Sequence, residues 1–67
     1  MTILNTAEDV RRAVVDGHKV FADTEAYPVI MDSIGQFLIT CTMTEMCIGL
    51  THRDGKTLNG KKFFRLD

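Results

Sequence analysis

Ala7, Val10, Ala13 and Val14 recur at the three- and four-residue spacing of one helix face, with Glu8, Arg11 and Arg12 between them. Asn5 and Thr6 precede this stretch and both are good N-caps. Each has an acid three residues later, Glu8 and Asp9, the arrangement that satisfies the free amides of a first turn. Gly17 can take the left-handed conformation that ends a helix, so the pattern predicts a short helix of about three turns.

Past Gly17 the period becomes extended. The spans 18–22, 27–31, 36–40 and 46–50 read as strands, separated by the polar turns 23–26, 32–35 and 42–45. Pro28 lacks an N–H and belongs at the start of its strand or on an edge. Gly49 is expected to mark a bulge. Connections this short join antiparallel neighbours, because a parallel pair needs a crossover of about a dozen residues or more. Residues 51–62 are polar, with Asp54-Gly55 and Asn59-Gly60 as turn signals, and 63–66 form a possible last strand. The predicted fold is α+β: one domain over residues 1–67, with a short N-terminal helix packed on a four- to five-stranded antiparallel meander.

The strands at 27–31 and 36–40 are apolar at consecutive positions, as though both faces of the sheet's centre were buried. One short helix covers one face. The other, expected to carry Ile30, Leu38, Cys47 and Phe64 or their alternates, then needs a curled sheet or a second chain. The expectation is a homodimer with Ile30 and Leu38 in its interface. Length argues the same way, since domains below about 70 residues commonly add a disulfide, a metal or a partner copy. The two cysteines are too few for a disulfide scaffold, and no leader or membrane-length apolar run stands out. That places the chain in the cytoplasm, without a membrane partner.

Charge is segregated. Residues 1–52 hold three Lys/Arg against seven Asp/Glu, and residues 53–67 hold five against two. The basic end suggests an anion or partner surface made of Thr51, His52, Arg53, Lys56, Asn59 and Lys61, which could take nucleic acid, a nucleotide or another phosphorylated ligand. Lys62, Arg65, Phe63 and Phe64 interleave with it, although two adjacent Phe are more simply core residues. Asp23, Glu25, Asp32 and Glu45 fall in turns and read as a solvated acidic surface.

Catalytic and metal signatures are thin. Gly55-Lys56-Thr57 matches the end of a phosphate-binding loop, but the glycine required five positions earlier is Leu50. Cys41, Cys47, His18 and His52 lack the close pairing of structural zinc ligands, and at least one cysteine is expected to be a small buried hydrophobe. Cys47, His52 and Asp54 are near one another in sequence, but no oxyanion feature accompanies them. No enzyme, metal or cofactor is expected.

The run from Tyr27 to Ile39, with Cys47-Ile48-Gly49-Leu50 and Thr57-Leu58-Asn59-Gly60, resembles small accessory proteins encoded by phages and prophages. The resemblance implies a bacterial host cytoplasm and a host-takeover or anti-defence factor, as anti-CRISPR proteins are. Such a factor acts by binding a host protein, and the resemblance brings no site residues with it.

Overall fold

A computed structural model describes residues 1–66. The elements are β1 (Thr2–Leu4), α1 (Ala7–Val15), β2 (Lys19–Ala22), β3 (Pro28–Met31), β4 (Phe37–Thr40), β5 (Cys47–Gly49) and β6 (Phe63–Leu66). All six strands join one antiparallel sheet in the order β1-β6-β2-β3-β4-β5. The α+β architecture is as expected, with six strands rather than four or five.

The helix starts and stops where its caps dictate. Thr6 is the N-cap and its hydroxyl accepts from the Asp9 amide at 3.1 Å. At the other end Gly17 adopts φ 90°, its amide donates to Val14 O and the His18 amide donates to Ala13 O. Those paired bonds are the Schellman closure, and they turn the chain straight into β2.

Strands β2 to β5 form the expected meander, with Pro28 as the first residue of β3. The ends of the chain depart from it. Thr2–Leu4 is a strand the sequence pattern did not reveal, and β6 crosses back to add at the β2 edge of the meander, between β2 and β1, instead of beside β5. This placement explains why adjacent phenylalanines are both buried. Alternate strand residues face opposite sides, so Phe63 (1% exposed) enters the core under α1 while Phe64 (6%) turns to the outer face. There Phe64 pairs with Ile3 and Phe21 and stacks on the Phe21 ring, with centroids 5.6 Å apart. No bulge occurs at Gly49: the register runs evenly through Leu38↔Gly49, Ile39↔Ile48 and Thr40↔Cys47. The chain bends one residue later, at Leu50.

The core is Val10 and Ala13 of α1 against Val20, Ala22, Val29, Ile39, Leu50 and Phe63, with Leu4, Val14, Phe37 and Leu58 packed around it. Nine helical residues span about 14 Å, whereas five inter-strand gaps span about 24 Å. Accordingly α1 sits over β6, β2 and β3. The 51–62 segment extends the layer, through Leu58 and through Gly55, whose carbonyl accepts from Arg11 Nη2 at 2.9 Å. The rim beyond stays bare, leaving Met31, Met46 and Ile48 exposed.

Candidate functional site

Register fixes the outer face. Ile30 pairs with Leu38, Leu38 with Gly49, Thr40 with Cys47, and Phe21 with both Pro28 and Phe64, so these side chains share the side away from α1. The residues assigned to that face from sequence do lie on it. Burial of both faces of the centre is not achieved within one chain: Val29 and Ile39 are buried under the helix side, but Ile30 is 42% exposed and Leu38 half-buried. The sheet does not curl over Ile30, and no described element covers it.

The basic segment is built around carboxylates. Thr51 bridges to Leu58, and the His52 amide donates to Thr57 O, closing a small hairpin. At its tip the Asp54 carboxylate accepts from the Lys56 amide at 2.8 Å, the Thr57 amide at 2.9 Å and the Thr57 hydroxyl at 2.6 Å. The Thr57 hydroxyl and then these amides hold the Asp54 carboxyl at about 2, below the usual 3.8. The amides that a phosphate-binding loop would offer to its ligand are therefore occupied by the chain's own anion.

A second carboxylate anchors the segment's far end. Asp23, in the left-handed region at φ 63°, accepts from the amides of Lys61 (3.0 Å) and Lys62 (2.9 Å), and its own amide donates to Lys62 O. Asp32 does the same locally, accepting from the Ile34 and Gln36 amides. Two of the four acids read as a solvated surface, Asp23 and Asp32, thus hold turns together, and Asp54 does the same in the basic segment. Sequence could have shown this at Asp32 and Asp54, where the side chain reaches amides two to four residues on. It could not at Asp23, whose partners are 38 and 39 residues away.

His52, Arg53, Lys56 and Lys61 are exposed, and Thr51 and Asn59 half-buried. They do not form one cluster. His52, Arg53 and Lys56 belong to the small hairpin, Lys61 sits at Asp23, and Asn59 reaches back so that its Nδ2 donates to Gly49 O at 2.9 Å. A cleft of about 660 Å3 lies between Lys56 and the start of α1, but Glu8 and Asp54 line it together with Arg11 and Lys56.

The cysteines depart from expectation. Cys47 is exposed and Cys41 only half-buried, because the β4–β5 hairpin projects beyond the helix layer. Cys41 donates its amide to Met46 O, placing the two on the helix side, whereas Cys47 pairs with Thr40 on the outer side. The Thr44 hydroxyl, then the Met43 and Thr44 amides, lower the Cys41 thiol below its ordinary value. Cys47 is also separated by the sheet from His52 and Asp54, whose hairpin lies on the α1 side. His18 contacts Arg65 Nη1 through its ring nitrogens, at 2.8 and 3.1 Å. Among the described residues no three His, Cys, Asp or Glu side chains converge as a metal group would. No described helix is long and apolar enough to cross a membrane.

The chain is thus a small α+β domain with one helix-covered and one uncovered sheet face. Comparison with protein-family models, curated proteins and solved structures finds no match to it.

Proposed function

We propose that this chain is a non-enzymatic protein-interaction module that works as a homodimer through the outer sheet face. The observation that carries this reading is the apolar strip of Ile3, Phe21, Pro28, Ile30, Leu38 and Phe64, in register across five strands, in which Phe64 is buried but Ile3 and Ile30 remain exposed. Five strands with four gaps span about 19 Å and each strand about 13 Å, so two stacked copies cover about 500 Å2 in projection, an interface of the small, reversible kind. A second copy fits because face-to-face packing of two sheets sets identical apolar strips about 10 Å apart. The resemblance noted in the sequence supports a phage or mobile-element accessory factor in a bacterial cytoplasm, acting on a host protein in a takeover or anti-defence role.

The alternative, a nucleic-acid or phosphorylated-ligand binder using residues 51–62, has Arg53 and Lys56 exposed at a hairpin tip in its favour. It is the weaker reading because Asp54 and Asp23 already hold the amides of Lys56, Thr57, Lys61 and Lys62. Sedimentation over a dilution series at low and high salt tests the dimer. A mass rising to that of two chains, and returning to one in Ile30→Glu and Leu38→Glu, supports it. A wild-type monomer at every concentration sinks it.

A further inference from the structure

The β5 edge carries a second surface. The Cys41 amide donates to Met46 O and the Leu50 amide to Phe37 O, so Ile48 between them directs its backbone groups at β4, while the Met46 amide donates to Thr44 O and Leu50 O accepts from the Asn59 amide. Cys47 and Gly49 necessarily direct theirs away. The Gly49 carbonyl is taken by Asn59 Nδ2. The Cys47 N–H and C=O and the Gly49 N–H have no partner among the described residues. Edge strands are ordinarily blunted by lysine, proline or a bulge. Here β5 is Cys-Ile-Gly, regular in register, with exposed Met46 before it.

Two further observations define what would pair there. Beside the edge, on the helix side, Tyr27, Ile39, Thr40, Cys41, Met46 and Ile48 line a cavity of about 70 Å3, room for one branched aliphatic side chain. Strand addition has this form, in which main-chain bonds give affinity and a pocket for an alternate side chain gives specificity. The second observation is charge. Between Val20 and His52 the chain holds Asp23, Glu25, Asp32 and Glu45 and not one Lys or Arg. The Thr42 amide donates to Ala26 O, bringing the turns that bear Glu25 and Glu45 to one end of this half. Pairing β5 with another copy's β5 would set two such acidic halves together, whereas a cationic chain is attracted.

We infer that β5 is a strand-addition site for an extended segment of a partner protein, apolar and β-branched at its centre and flanked by Lys or Arg. This rests on the interaction-module reading but uses a surface separate from the dimer face. The probe is the peptide Lys-Thr-Val-Ile-Val-Thr-Lys, titrated into 15N-labelled full-length chain. Its Glu-flanked counterpart and a version N-methylated at alternate residues serve as controls. The expected result is perturbation and slowed exchange at the Cys47 and Gly49 amides. The Glu-flanked peptide should bind at least about tenfold more weakly, a difference of about 1.4 kcal/mol, and the N-methylated one not measurably. Cys47→Pro, which removes an outward N–H without touching the β4 ladder, should weaken binding about tenfold. Ile48→Lys, which adds a cation at the same edge, gives an independent loss. Equal binding by all three peptides, perturbation confined to 51–62, or Cys47 and Gly49 amides already protected in the free protein would each overturn the inference. Ile30→Glu separates the two proposals, because it should abolish the dimer and leave peptide binding intact.

Discussion

Replacing Asp23 should cost far more than an exposed turn acid ordinarily does. Its carboxylate accepts from both the Lys61 and Lys62 amides at the end of β2, and it does so from a left-handed backbone, φ 63°. In Asp23→Ala both bonds go, at about 0.5–1.5 kcal/mol each for solvent-exposed bonds, and the new side chain sits less well at positive φ. That left-handed difference adds up to about 1 kcal/mol, so the total is roughly 2–3 kcal/mol. A chain of 67 residues has about 3–10 kcal/mol of stability in all. The melting temperature should therefore fall by roughly 10–20 °C.

The series has an order that tests the reasoning. Asp23→Asn keeps an acceptor and tolerates positive φ, and should lose about 0.5–1 kcal/mol. Asp23→Gly loses the bonds but relieves the backbone, and should fall between Asn and Ala. Urea unfolding followed by circular dichroism gives the stabilities, and amide exchange at Lys61 and Lys62 reports the local release. An Asp23→Ala loss under about 0.5 kcal/mol, or a glycine variant less stable than the alanine one, would refute the anchoring role.

Two further expectations concern titration and thiol chemistry. Because folding holds Asp54 at about 2 instead of 3.8, the unfolded chain binds the extra proton first. The stabilisation is complete above about pH 4 and is lost as pH falls towards 2. Asp54→Asn should flatten that acid limb of a pH–stability curve, and an unchanged limb would show that the carboxylate contributes nothing there. For the cysteines, alkylation of Cys41 should inflect below the usual thiol range and move back up in Thr44→Val, as read by mass spectrometry against pH. Oxidation should leave no bond between Cys41 and Cys47 within one chain, since they face opposite sides; an intrachain disulfide would contradict the register.

What sequence conveyed was local. The helix was legible because Thr6, Gly17 and the apolar spacing all specify it, and the β2–β5 meander because each turn carries its own polar and glycine chemistry. The outer face was legible too, since a fixed period of two carries Ile30, Leu38, Cys47 and Phe64 to one side once pairing is antiparallel. Long-range pairing was not. Three residues are too few to show a period, so Thr2–Leu4 stayed silent, and nothing near Phe63 states that it will pair with β1 and β2. The anchoring of the 51–62 segment was hidden for a related reason. Its lysines are visible in composition, whereas the Asp23 carboxylate that holds their amides is distant in sequence.

These particulars shift attention from the basic end to the acidic half. A nine-residue helix cannot reach the β4–β5 side, so apolar exposure collects there, at Met31, Met46 and Ile48 on one face and Ile30 on the other. The same half is free of Lys and Arg from Val20 to His52. A face left bare only because the protein is small would still be protected by lysine against unwanted strand pairing. Bare backbone, an apolar cavity and unbalanced acid together favour a particular neighbour, and that neighbour is positively charged. The basic hairpin tip is drawn to α1, where Gly55 O accepts from Arg11, and Lys61 and Lys62 are held at Asp23 at the far end of β2. Glu45 stands just before β5, so at that edge a second copy would bring like charge and a cationic strand would not.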